Sequence, residues 1–248
     1  MIRTMHIILT GATGLVGSAV LSNLIASPSI TRISILSRRP VAAAEGHPKV
    51  NVVIHSDFSS YPEPLLDKLR GAKGCIWAQG KSSVGMDEPD YTQLTLEWPL
   101  AAAKSFSLNP RFEGDGFNFV YISGEGADPS GQAKQLFARV KGKAETNLLQ
   151  TADTTPGLSV YNLRPAGIDG SASKSKPDRA RTAMELGLTW LYPVLRQVAP
   201  KWHTPVDSLA EVAVAIVQGD GKSISAGRGV EAGGWTLRNI AIRRLAGL

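Results

Sequence analysis

A chain of 248 residues, 43% hydrophobic and 19% charged, can bury one sizeable core and carries too little charge to be disordered. Its net charge of +6 comes from scattered lysines and arginines, and the densest cluster, Lys174 to Arg181, also holds Pro177 and Asp178. That pattern excludes a nucleic-acid-binding stripe and leaves a mildly basic surface suited to small anionic ligands.

Met5 to Leu9 (MHIIL) predicts a first strand. The apolar run His6 to Thr10 leads straight into glycines, unlike a signal peptide. Leu15, Val16, Ala19, Val20 and Leu24 recur at helical spacing, and Pro28 ends that helix. Ile33 to Leu36 is a second strand, broken by SRRP, and Val50 to His55 a third. Leu65 to Arg70 predicts a short helix and Gly74 to Ala78 a fourth strand, holding the lone Cys75. A single cysteine excludes a disulfide framework and fits a reducing, cytoplasmic compartment. Tyr91 to Ser107 reads as a long helix with a kink at Pro99. Asn109 to Gly116 is a surface loop, Phe117 to Ile122 a fifth strand, Gln132 to Leu149 a helix and Leu158 to Arg164 a sixth strand. This alternation predicts an α/β fold: a Rossmann-type, doubly wound parallel sheet with helices on both faces.

After Arg164 the rhythm changes. Asp169 to Arg181 reads as a loop rich in Ser and Lys, followed by helices over Thr182 to Leu195 and Asp207 to Gln218. Gly219 to Gly234 holds six glycines and predicts turns around one short strand. The expected organisation is one domain, with residues 1–168 as cofactor-binding core and 169–248 as a small substrate-covering lobe. Leu186 to Val198 is broken by Pro193 and Arg196 and is too short to span a bilayer, so no membrane partner is expected. Its Leu188, Trp190, Leu191 and Tyr192 would either wall an apolar substrate or pack on the core.

The most informative motif is GATGLVG, Gly11 to Gly17, which follows a strand and opens a helix. Gly11 permits a tight turn, Gly14 lets backbone approach a pyrophosphate, and Gly17 lets the helix pack closely. Thr13, Leu15 and Val16 complete that loop at the helix N-terminus, which favours negative charge. A carboxylate about 20 residues further on would bind the ribose hydroxyls of NAD. Ser37, Arg38 and Arg39 stand there instead, and two guanidiniums can clamp a 2′-phosphate, so NADP(H) is the expected cofactor. Asp57 and Phe58 follow the third strand, where an adenine edge and face would lie. Ala78, Gln79 and Gly80 follow the fourth, near the adenine ribose.

GATGLVG, SRRP, YISGEGADPS, FARVKGKAE and NLRPAGI occur in an order and at spacings that resemble the atypical short-chain dehydrogenase/reductases. SSVGMDEPDY and LYPVLR are similar to a microbial branch labelled sugar-nucleotide epimerases; the branch of the Tat-interacting tumour-suppressor protein and its fungal mitochondrial relatives is also similar. The resemblance implies a catalytic hydroxyl at Ser123 that orients a substrate carbonyl. It implies that Lys141 binds the nicotinamide ribose, and that Pro165 and Ile168 pass over the nicotinamide. It also implies pairing of subunits through helices flanking the fifth strand, which leaves a homodimer open.

One catalytic position departs from the family pattern. Phe137 occupies the place of the tyrosine that moves the proton, four residues before Lys141. A general acid of that kind contributes roughly 10²–10⁴-fold, and phenylalanine has nothing to donate. Three readings stay open: a reductase with another acid, a non-redox isomerase or cyclase, and an NADP(H)-binding regulatory protein without turnover. Replacement acids are Glu125, Asp128, Tyr91 or a water held by Lys141. The leading reading is a reductase of a small, apolar carbonyl or enone compound. Arg139, Lys143 and Glu145 predict a charged, solvated outer face for the helix around Lys141. His6, His47, His55 and His203 show no metal-ligand spacing, and His203 reads as a surface or hydrogen-bonded histidine.

Overall fold

The computed structural model describes residues 4–107, 116–173, 175, 177–178 and 202–248. The strands in chain order are β1 (Met5–Thr10), β2 (Ile30–Ser37), β3 (Val50–Ile54), β4 (Gly74–Trp77), β5 (Phe117–Ile122), β6 (Leu158–Arg164), β7 (Gly167–Asp169), β8 (His203–Pro205), β9 (Val230–Glu231) and β10 (Thr236–Arg238). Eight of them form one sheet in the order β3-β2-β1-β4-β5-β6-β10-β9; β7 and β8 pair separately. Pairing is parallel throughout the large sheet except between β10 and β9. The order reverses between β1 and β4, which opens a crevice at the carboxyl ends of the strands.

Helices α1 (Leu15–Ala26), α2 (Glu63–Lys68), α3 (Glu88–Thr92), α4 (Trp98–Ser107), α5 (Leu136–Thr154), α6 (Val206–Val217) and α7 (Asn239–Leu245) cover both faces. Successive strand residues point to opposite faces. Ile7, Leu9, Ile33 and Ile35 therefore pack with Val20, Leu24, Leu209 and Ala213, while Ile8, Leu36 and Phe119 pack with Phe106, Ala144 and Leu148. Because β10 pairs with β6, and α6 and α7 join the first cluster, the described part of the C-terminal region is built into the main core.

Several boundaries moved for local reasons. The predicted helix over Tyr91 to Ser107 is three segments, because a π-helical turn, Gln93–Glu97, separates α3 from α4. Pro99 cannot donate to the Thr95 carbonyl, and the Tyr121 hydroxyl donates to that oxygen instead at 2.9 Å. Helix α5 starts at Leu136 rather than Gln132, because Asp128 accepts from the N–H groups of Ser130, Gln132 and Ala133 and holds that stretch in a turn. The short β7, β8, β10 and α7 had no periodic signal long enough to predict them. The expected helix over 182–195, the LYPVLR stretch, the loop 109–115 and most of the 174–181 basic cluster lie outside the described residues.

Candidate cofactor and substrate site

The glycine turn is as tight as its spacing predicts. Gly11 has φ +71°, and a Cβ there would lie 2.5 Å from the Ala78 carbonyl oxygen. A Cβ on Gly17 would lie 2.0 Å from the Gly11 carbonyl oxygen, so only glycine lets α1 approach this closely. Gly14 caps α1 with no side-chain hydrogen bond, and the first turn has no acidic residue. The N–H groups of Leu15, Val16 and Gly17 therefore have no intrahelical acceptor and suit an anion. Thr13, Gly14, Leu15 and Val16 are partly exposed along this turn.

At the end of β2, Ser37 is partly exposed and Arg38 and Arg39 are exposed; the Ser37 hydroxyl accepts from the Arg39 N–H at 3.3 Å. Arg39 also borders a hollow of about 680 Å³ lined by Val41, Ala42, Val52, Ile54 and Asp178, at the sheet's β3 edge. Asp57 is exposed, and Ser59 donates to its carboxylate and holds its pKa below the usual value. Phe58 corrects the expectation of an adenine-stacking face: its ring is fully buried between Trp77 and Trp98, at centroid distances of 5.8 and 5.5 Å. Ala78 and Gln79 are half-buried and Gly80 is exposed, with open space beside it. The Gln79 N–H reaches Thr10 Oγ1 at 3.3 Å, whereas its buried Nε2 has no partner among the described residues.

On the other side of the switch point, Ser123 follows β5 and is only 3% exposed, yet its Oγ has no hydrogen-bond partner among the described residues. Lys141 on α5 donates from Nζ to the carbonyls of Ser123 (2.5 Å) and Ile122 (3.4 Å). Burial lowers its pKa to about 8, with Glu145 pulling the other way. Phe137, one helical turn before Lys141, is partly exposed, belongs to neither core cluster and lies beside Gly126 in the loop after β5. Pro165 is buried and its carbonyl accepts from Glu125 N–H at 2.7 Å; Ile168, on β7, packs partly buried against the first core.

The side-chain acids proposed to replace tyrosine are otherwise engaged. Glu125 is held by Arg238 at 2.8 and 2.5 Å and by the Asn239 N–H at 3.0 Å. Asp128 accepts from Ser130 and is held ionised by those hydrogen bonds. Tyr91 is 1% exposed, and burial raises its phenol pKa. Glu145 also departs from expectation. It is buried rather than solvated, paired with the equally buried Arg164 of β6. The signal for that pair was faint: Glu145 falls four residues after Lys141, and Arg164 is the one charged residue of β6. His203 is buried on β8 rather than at the surface, and its backbone carbonyl accepts from Asn239 and Arg243. Among the described residues no cluster of His, Cys, Asp and Glu is placed to hold a metal ion, and no helix is long and apolar enough to cross a membrane.

No family model matches this chain. It is 37% identical over 222 residues to leucinostatins biosynthesis cluster protein T of Purpureocillium lilacinum, covering 82% of this chain and 74% of that protein. It is 33% identical over 158 residues to botcinic acid biosynthesis cluster B protein 16 of Botryotinia fuckeliana, covering 60% and 98%. With the mitochondrial protein fmp52 of Emericella nidulans it shares 29% over 216 residues, covering 84% and 85%. Among solved structures, WbmF of Bordetella bronchiseptica, in complex with NAD+, superimposes with a TM-score of 0.64 at 14% identity, covering 99% and 79%. The PhqB reductase domain of Penicillium fellutanum gives 0.63 at 14% identity over 86% of this chain, which spans 64% of that chain's length. These likenesses establish the Rossmann-type fold of the short-chain dehydrogenase/reductases.

Proposed function

We propose a function on the premise that this chain belongs to the family of leucinostatins biosynthesis cluster protein T: it binds NADP(H) and reduces a small, apolar carbonyl or enone compound. The observation that carries this reading is Ser123 itself: its buried hydroxyl has no partner among the described residues and its carbonyl accepts from the Lys141 ammonium, at the same sheet edge as the uncapped start of α1. Those residues fit a dinucleotide. The N–H groups of Leu15, Val16 and Gly17 hold the diphosphate, with Thr13 and Gly14 lining the turn. Arg38 and Arg39 bind the 2′-phosphate, and Ser37, Asp57, Ala78, Gln79 and Gly80 surround the adenosine, with Phe58 supporting them from the core. Lys141 orients the nicotinamide ribose, and Pro165 and Ile168 flank the nicotinamide. Ser123 orients the substrate carbonyl. When bound, the cofactor supplies a hydride. The likeness to proteins named for biosynthesis clusters supports a small-molecule substrate. The reduced Cys75 supports a cytoplasmic protein, while relatives named mitochondrial make the organelle the rival location.

Phe137 supports a second reading, a cofactor-binding protein without turnover, because the ring offers no proton at the usual place. The test is NADPH and NADH titration followed by NADPH oxidation with a panel of aldehydes, ketones and enones. NADPH consumption supports the reductase. Tight NADPH binding without turnover across the panel overturns it in favour of the second reading, and no NADPH binding overturns both.

A further inference from the structure

Five charged side chains form an alternating chain behind the site. Glu145 of α5 accepts from Arg164 Nε at 2.9 Å and Nη2 at 2.5 Å. Arg164 Nη1 donates to Glu231 of β9 at 2.9 Å. Glu231 in turn lies 3.6 Å from Arg238 of β10, which donates to Glu125. One end of this chain is a helical turn beyond Lys141, and the other is two residues beyond Ser123. Glu145 is 2% exposed and Arg164 7%, so their pairing is shielded from water and salt.

The geometry points to Arg164 as a positioning residue: by holding Glu145 it sets the carboxylate that faces Lys141, and by holding Glu231 it locks α5 and the Ser123 loop to the β9–β10 hairpin. Glu145 lies on the same helix face as Lys141, four residues on, and is the charged group that counters the burial of its ammonium. The Ser123 and Ile122 carbonyls accept from Lys141, and Arg164, Glu231, Arg238 and Glu125 follow Glu145 in the chain of charges. The phenol of Tyr121 is kept neutral by burial. Neutralising Glu145 leaves Arg164 with the partly exposed Glu231 to offset its charge; removing Arg164 leaves the buried Glu145 carboxylate without that partner. The two changes therefore move Lys141 in opposite directions, which simple loss of packing does not do.

This inference rests on the site reading above for its function, but its test does not need the cofactor. The full-length protein is acetylated with acetic anhydride across a pH series, and modification of Lys141 is read by mass spectrometry. The wild-type midpoint is expected near 8. Glu145→Gln should lower it by about one pH unit, Glu231→Gln by less, and Arg164→Met should raise it by about one unit, with Arg164→Lys near wild type. Shifts of one sign in both Glu145→Gln and Arg164→Met, or no shift in natively folded Glu145→Gln, overturn the proposal. If Arg164→Met does not fold, the order Glu145→Gln, Glu231→Gln, Arg164→Lys decides alone. NADPH titration of the same variants separates the two readings. Midpoint shifts without any change in NADPH affinity leave Arg164 as a positioning residue and remove Lys141 from the cofactor site.

Discussion

In the amino half of the central sheet, His6 sits between the Ser34 hydroxyl (2.8 Å) and the Arg70 carbonyl (3.2 Å), and the Asn118 amide donates to the carbonyls of Val217 (3.2 Å) and Gly219 (3.1 Å). At the carboxyl edge of the same sheet, Ser123 Oγ and Gln79 Nε2 are equally buried and have no partner among the described residues. An unpartnered buried polar group costs about 1–3 kcal/mol. The amino half thus satisfies these polar groups internally, while the carboxyl edge leaves two without partners among the described residues, as the proposed ligand site requires. The same contrast appears in the helices: α1 begins uncapped at the carboxyl edge, and Lys141 donates there to backbone carbonyls.

Four changes would break or sharpen that contrast. The largest effect is expected at the carboxyl edge. Phe137→Tyr restores a phenol one turn from Lys141 and should raise NADPH-dependent turnover by roughly 10²–10⁴-fold, with little change in melting temperature because the ring is partly exposed. An unchanged rate in stopped-flow absorbance would show that this edge does not keep reductase geometry.

The next effect belongs to the amino half. Burial, aided by Arg32 and opposed by the Arg70 carbonyl, lowers the His6 pKa from 6.5 to about 4. The unfolded chain therefore takes up the proton first as pH falls, and the stability that neutral His6 contributes is lost between 6.5 and about 4. That loss should amount to about 3 kcal/mol. Urea unfolding at neutral and acid pH measures it, and a His6→Gln variant with the same pH slope as wild type would place the acid sensitivity elsewhere.

Returning to the carboxyl edge, Arg38→Ala with Arg39→Ala should weaken NADPH binding by about 2 kcal/mol, roughly 30-fold, and leave NADH nearly unchanged. Equal losses for both cofactors in fluorescence titrations would remove the phosphate clamp. The smallest effect compares two serines. Ser123→Ala should gain about 1 kcal/mol of stability because its hydroxyl has no partner among the described residues, whereas Ser34→Ala should lose about as much by leaving His6 Nε2 without its partner. Thermal unfolding of both variants tests this, and destabilisation by Ser123→Ala would mean that the hydroxyl is satisfied after all.

Legibility in the sequence followed the range of the physics involved. GATGLVG was readable because its demands are local: a positive φ at Gly11 and a missing Cβ at Gly17 are met within seven residues. The six main strands were readable from apolar runs bounded by turn residues. Phe58 was misread because position after a strand says nothing about which way a ring turns, and three aromatic neighbours, His55 just after β3, Trp77 of β4 and Trp98 of α4, surround it. Glu145 was misread as solvated because its partner, Arg164, lies 19 residues away on another element. Of the acids offered in place of tyrosine, Glu125 was consumed by a remote partner, Arg238, 113 residues away, and Asp128 by the turn that follows it, Ser130 to Ala133.

By itself, the sequence determined the α/β class, the strand-turn-helix that suits a dinucleotide, the arginines in place of a carboxylate, and the absence of a phenol at 137. Each is a property of neighbouring residues, where sterics and hydrogen bonding act over one or two turns. Only the tertiary structure decided that β9 and β10 extend the main sheet, that Lys141 rests on the Ser123 carbonyl, and that Glu145, Arg164, Glu231, Arg238 and Glu125 form one chain of charges. Those outcomes depend on pairings across the fold, and charges find stable buried partners only where the packed chain brings opposite signs together in the absence of water.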